Sequence, residues 1–106
     1  MIRITLVYRD PENAHFDFDY HVNHHVVMSK HLLANCGLLT IEVQKCVRAL
    51  DGEKSDVVCI SHVEFEYEDG LSKALEVHGA ELMSDCSNHT NCDPEIYVCG
   101  VLTSRV

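Results

Sequence analysis

The segment VNHHVVMSKHLL, Val22 to Leu33, carries His24, His25 and His31 among valines, leucines and a methionine, and His21 directly precedes it. Imidazoles in apolar company can bind metal, move protons or simply pack. His21 and His25 have the i, i+4 spacing of a chelating helix, but VNH lies between them and no glutamate base accompanies them, so the zinc-protease pattern is absent. Cys86-x2-His89-x2-Cys92 offers three potential ligands in seven residues, yet it holds no C-x-x-C pair and needs a fourth ligand from elsewhere. No metal and no cofactor are therefore expected.

Acid–base chemistry fits the pattern better. At about 100° per residue, Phe18, Val22, His25, Ser29, Leu32 and Cys36 fall within about 40° of one another, placing His25 in the middle of an apolar stripe. His24 and His31 lie on the far side, and His21 sits at the border. Further along, Leu71, Leu75, His78 and Leu82 share a second stripe, with His78 at its centre. Two such helices on one sheet would each point an imidazole inward. Burial lowers an imidazole's pKa and keeps it neutral and basic, so a facing pair can take a proton from one atom and return one to another. A packing role for each histidine competes with this reading, and Gly79 threatens the helix around His78.

The elements that must position these residues follow from the apolar period. Ile2, Ile4, Leu6 and Tyr8 alternate with polar or outward residues in a first strand that stops at Asp10-Pro11. A helix runs from about Asp17 to Asn35, with Gly37 as its left-handed stop. Leu39, Ile41, Val43 and Val47 restore alternation before an Asp51-Gly52 turn. A third strand spans Asp56 to Tyr67 and leads through a Glu68-Asp69-Gly70 turn into a helix of about 14 residues starting near Leu71. After the polar loop SDCSNHTNCD and Pro94, Glu95 to Leu102 form the last strand.

This βαββαβ order predicts an α+β, ferredoxin-like antiparallel sheet with two helices on one face, in a single domain spanning residues 1–106. The opposite sheet face would carry Thr5, Val7, Glu42, Gln44, Ile60, His62, Tyr97 and Cys99. That set is too apolar for comfortable exposure and too mixed for a core, so a homodimer is expected, its two sheets closing into an α+β barrel. The competing expectation is a monomer with an open, semi-polar face.

Composition narrows the partners. The 106 residues are 46% apolar and carry 17 acidic against 8 basic side chains, a formal charge of −9. With the basic residues scattered, nucleic acid is an unsuitable partner. No apolar run nears the roughly 20 residues of a membrane span, and MIRITLVYRDPENAH lacks a signal-peptide h-region, which reads as a cytoplasmic protein with no membrane partner. The six cysteines are then reduced thiols serving as small hydrophobes.

A family resemblance covers nearly the whole chain. MIRITLVYRDPENAHFDFDY with HVNHHVVM resembles the opening of EthD-like proteins of the dimeric α+β barrel superfamily, with Phe16, Asp17, Asp19, Tyr20 and His25 on the family's FD-x-DYY-x-x-x-H-x-P-like pattern. VVCISHVEFEYEDG, including His62, is similar to the third strand. HGAELMSDCSNHTNCDPEIYV is similar to the second half, with His78, Gly79, Glu81, Leu82, Asn88, Thr90 and Pro94 in place. Val27 stands where the family usually has proline, His21 where it often has a second tyrosine, and Cys86 and Cys92 where aliphatic residues are usual. The resemblance implies a ferredoxin-like fold and a homodimer. It does not choose a reaction, since similar barrels include lactone isomerases, polyketide cyclases and cofactor-free monooxygenases.

The expected activity is cofactor-independent isomerase, cyclase or lyase chemistry on a small, mostly apolar organic ligand. His25 is the expected base and His78 its acid partner, with Tyr20, Ser29, His62 and Asn88 contacting substrate. His62 shares a strand face with Val58, Ile60 and Glu64. If Cys59, Ser61, Val63 and Phe65 face the helices, His62 points into the dimer barrel, toward Glu42 or Glu64. The alternative is a non-catalytic accessory or carrier protein for a monooxygenase-linked degradation pathway. Heme or metal binding ranks last, for want of a convincing ligand set.

Overall fold

The computed structural model describes residues 1–9 and 15–103. Strands β1 (Ile2–Arg9), β2 (Leu38–Lys45), β3 (Val57–Phe65) and β4 (Glu95–Gly100) form one antiparallel sheet in the order β2-β3-β1-β4. Helical segments cover residues 18–36 and Glu68–Cys86. This is the expected ferredoxin-like α+β fold, although the Asp10-Pro11 strand stop lies outside the described residues.

Strand period sorts the sheet into two chemistries. Ile4, Leu6 and Tyr8 on β1 pair with Val63, Ser61 and Cys59 on β3 and face the helices. The opposite face carries Arg3, Thr5 and Val7 beside Glu64, His62 and Ile60, with Glu42, Gln44, Tyr97 and Cys99 on the flanking strands. Under the helices lie two buried clusters. Leu33, Cys36, Phe65, Leu71 and Ala74 form one, and Tyr8, Cys59 and Cys92 the other. Three of the six cysteines are thus core members, in keeping with small-hydrophobe use.

The first helix is not uniform. Asp17 caps it by accepting from the Tyr20 amide at 3.0 Å, and residues Phe18–Tyr20 are α-helical. Over His21–His25 the coil widens into a π turn, in which the Val26 amide donates to the His21 carbonyl five residues back. The α form resumes over Val26–Leu33, and Ala34–Cys36 close in a 3-10 turn before Gly37, at φ +76°, ends the helix in the left-handed region as expected. The extra residue in the π turn shifts the inward stripe by one position. His21, at the border of the expected stripe, is buried, and Val22, expected within it, is exposed.

The second helix spans 19 residues, Glu68–Cys86, longer than expected, and it starts ahead of Leu71. Glu68 and Asp69 occupy its first turn, where their charge opposes the positive end of the helix dipole. Gly70, expected in a turn, is helical and serves a close approach instead. A Cβ there would lie 2.0 Å from the Cys36 carbonyl oxygen, a backbone atom with no room to move aside. Gly70→Ala is expected to force the helices apart and destabilise the protein by about 3 kcal/mol, read as a lowered urea midpoint with unchanged slope. The helix continues unbroken through Gly79. Among the described residues, no helix is long and apolar enough to cross a membrane.

Candidate functional site

A cavity of about 200 Å³ lies between the helices and the sheet, lined by members of both core clusters. Most of its wall is aliphatic or aromatic, and its few polar groups come from Tyr8, His21, His25, Ser29 and Ser61. A convergent handful of polar groups in an otherwise apolar hollow is the usual form of a small-molecule site. A cavity of about 150 Å³ holds benzene, so this one suits a single-ring or short-chain compound.

The π turn sets the histidines. It turns His21 inward, 3% exposed, and leaves His25 lining the cavity on the same face. The loop after the second helix folds back over them, because the Asn88, His89 and Thr90 amides donate to the carbonyls of Asp85, Cys86 and Cys86. His89 becomes fully buried, and its ring stacks on His21 with centroids 4.4 Å apart and planes at 16°. His25 lies 4.9 Å from His89 and 5.5 Å from His21. Phe16 meets both stacked rings edge-on at 5.2 Å, and the Asp17 amide, donating to the His89 carbonyl at 2.7 Å, ties the two segments together.

One carboxylate organises the polar contacts. Asp85 Oδ2 is 2.8 Å from His25 Nδ1, while Asp85 Oδ1 accepts from the Tyr20 hydroxyl at 2.8 Å and from Asn88 Nδ2 at 3.0 Å. Burial raises the Asp85 pKa, but the hydrogen bonds from Asn88, His25 and Tyr20 outweigh it and hold the group below its ordinary value. An ionised carboxylate only accepts, so the network assigns the proton to His25 Nδ1 and leaves Nε2 as the basic nitrogen. Ser29 donates to the His25 carbonyl at 2.7 Å, so its proton is committed to the backbone and it can only accept from a ligand.

The stacked pair is held neutral. Burial, then the neighbouring His89 and His25, push His21 down to about 4, and burial followed by His25 does the same to His89. His21 Nδ1 and both ring nitrogens of His89 are sealed without a protein partner. Buried polar atoms left in this state cost about 1–3 kcal/mol each, so they mark the cluster as more than packing.

The expected site residues separate into three groups. Tyr20, His25, Ser29 and Asn88 come together around Asp85 and the cavity wall. His78 does not join them. It is half-buried and absent from the cavity lining: Leu71, Leu75 and Leu82 of the expected stripe do line the cavity, but Gly79 rather than His78 faces it at that turn. His62 faces away from the helices, its Nδ1 3.0 Å from Thr5 Oγ1, while Arg3 takes the Glu64 carboxylate. Asp85 carries no local signal in the sequence, being 60 residues from His25. His89 was visible only as a possible zinc ligand.

Among the described residues, no group of three or more His, Cys, Asp or Glu side chains is arranged to hold a metal ion. The parallel stack accounts for this locally, since in-plane lone pairs of His21 and His89 lie in offset planes and do not converge. Cys86 Sγ donates instead to the Leu82 carbonyl at 3.4 Å.

No protein-family model and no curated protein sequence matches the chain. Solved structures do. An EthD-like protein from Ralstonia eutropha JMP134 is 25% identical, with a TM-score of 0.88 over 98% of this chain and 94% of its own. An ethyl tert-butyl ether D (EthD) family protein from Bacillus halodurans C-125 is 18% identical, with a TM-score of 0.72 over 96% of this chain and 99% of its own. SnoaB, a cofactor-independent oxygenase from Streptomyces nogalater, is 10% identical, with a TM-score of 0.60 over 97% of this chain and 93% of its own. The likeness to EthD-like proteins that the sequence motifs carry thus extends to the fold.

Proposed function

We propose that this EthD-like chain is a homodimeric protein that binds a small, mostly apolar organic metabolite and performs cofactor-free proton transfer on it, with His25 as the base. The observation that carries this reading is that His25, which lines the mostly apolar cavity, is held from behind by Asp85 at 2.8 Å. A partly buried carboxylate that fixes one imidazole nitrogen and leaves the other free to accept, on a residue that lines a hollow, is what a general base requires. Tyr20 and Asn88 act through Asp85, and Ser29 accepts from the ligand. That SnoaB, on the same scaffold, is a cofactor-independent oxygenase supports chemistry without a prosthetic group, at the level of fold alone.

The homodimer rests on the outer sheet face, where Val7, Ile60, Tyr97 and Cys99 stand among Thr5, His62, Glu42 and Gln44. A second copy of the same face would cover this mixed surface. Native mass spectrometry of purified protein tests both parts. The expected species is twice 12.0 kDa with one small neutral molecule per protomer. A protomer-sized species overturns the dimer. An apo species that takes up no single-ring or short-chain compound from a library overturns the binding site. A compound that binds but is never converted favours the carrier alternative.

A further inference from the structure

We propose that Tyr8 is a second ligand-contacting group, donating its hydroxyl to the oxygen of a neutral carbonyl compound whose adjacent C–H is the one His25 deprotonates. This rests on the reading of His25 as base and adds the substrate class to it.

Tyr8 lies on β1 opposite Cys59, is 2% exposed, and lines the cavity together with His21 and His25. Its ring is held edge-on to Phe16 at 5.1 Å. Its hydroxyl makes no hydrogen bond to any group among the described residues, and it is not one of the polar atoms sealed from all contact. Buried phenols nearly always find a partner. Tyr8 lines the cavity, and the partner assigned to its hydroxyl by this proposal is a ligand atom there. Burial, and then the nearby thiols of Cys86, Cys59 and Cys92, hold the phenol protonated well above its ordinary range, so it meets the ligand as a donor.

The rest of the lining narrows the ligand. Among the described residues no lysine or arginine lines the cavity, so a carboxylate or phosphate would find no counter-charge among them. Tyr8 and His25 are both neighbours of the His21 ring, with ring centroids 6.4 and 5.5 Å from it. Because Tyr8 and His25 line the same cavity, the proposed ligand is a carbonyl compound that engages both while its apolar part lies against Leu33, Phe65 and Leu71. In the reaction, His25 Nε2 takes a proton from the carbon next to the carbonyl. The C–H electron pair forms a C=C bond, and the carbonyl π pair moves onto oxygen, where Tyr8 hydrogen-bonds the developing charge. Where the carbonyl compound carries a C=C bond at the β,γ position, the oxygen pair re-forms C=O, the C=C bond moves to the α,β position and the same proton returns at the γ-carbon, giving the conjugated isomer and regenerating His25, with no net oxidation.

The test uses p-nitrophenol, a single-ring acid whose yellow anion imitates an enolate. At a pH below its own pKa, wild-type protein is expected to bind it as the anion, its proton passing to His25. Tyr8→Phe should weaken binding about tenfold and abolish the bound yellow form, and His25→Gln should bind only the colourless acid. If Tyr8→Phe binds and colours like wild type while His25→Gln does not, the Tyr8 role fails and the His25 base stands. If wild type takes up no phenol, or neither variant differs from it, both fail. Should Tyr8→Phe not fold, the Tyr8 ring-carbon resonance next to the hydroxyl serves in wild type. It should move on phenol addition, and a stationary signal overturns the proposal.

Discussion

Between pH 7 and pH 4 the folded state is expected to lose on the order of 4 kcal/mol relative to the unfolded chain, most of it through His21 and His89. Both imidazoles are pushed from 6.5 to about 4 in the folded protein, first by burial and then by neighbouring imidazoles. The unfolded chain therefore accepts protons from about pH 6.5 downward while the stacked pair refuses them. Stability is intact above that value and falls as the pH drops toward 4. Each ring contributes on the order of 2–3 kcal/mol, and the pair less than the sum because their mutual repulsion enters both. Against a total of about 5–15 kcal/mol for a domain of this size, the loss is large. Asp85, held low, contributes fully above the ordinary carboxylate value and begins to lose that contribution as the pH falls to about 3.8, so it adds little to the loss within this window. Protonating all eight histidines would move the formal charge from −9 to about −1, which relieves self-repulsion and acts in the opposite direction. Urea melts at successive pH values should show the decline, and His89→Phe, which keeps a ring against His21 and Phe16, should roughly halve it. A stability that is flat from pH 7 to 4, or a decline that His89→Phe leaves unchanged, rules out this origin.

The scaffold was legible because its signals are local and periodic. Alternation along β1 and β3 separates the helix-facing Ile4, Leu6, Cys59 and Ser61 from the outward Thr5, Val7, Ile60 and His62, and the register bears this out. Gly37 ends its helix where a left-handed residue was expected. The site was legible only in part. His25, Ser29, Tyr20 and Asn88, named from the sequence, lie together in the structure, but a constant helical step does not hold over His21–His25, where the π turn shifts the helix by one residue. The same arithmetic put His78 on the inward row with Leu71, Leu75 and Leu82; those three line the cavity, but Gly79 takes the place at that turn and His78 sits just outside the lining. Asp85 and His89 reach His25 only through the loop fold-back, a contact across some 60 residues that no spacing rule reveals. Tyr8 reads as an ordinary strand core residue until the cavity beside it is seen.

Replacing Asp85 by asparagine is expected to slow proton transfer on a bound substrate by about 10²–10⁴-fold, with a smaller loss of stability. The carboxylate only accepts, and so holds the proton on His25 Nδ1. An amide can donate to Nδ1, which favours the tautomer with its proton on Nε2 and occupies the lone pair that would take the substrate proton. Tyr20 and Asn88 also lose an anionic acceptor, weakening contacts of 2.8 and 3.0 Å that fix the loop over the site. Nitrogen NMR of the His25 ring at neutral pH separates this from a merely structural effect, since wild type should show the proton on Nδ1 and Asp85→Asn on Nε2. Asp85→Glu, which restores a carboxylate on a longer arm, should recover the wild-type tautomer and part of the rate. If Asp85→Asn shows the altered tautomer yet converts the compound bound by wild type at an unchanged rate, His25 is not the base and the Asp85 pair is only a brace for the loop.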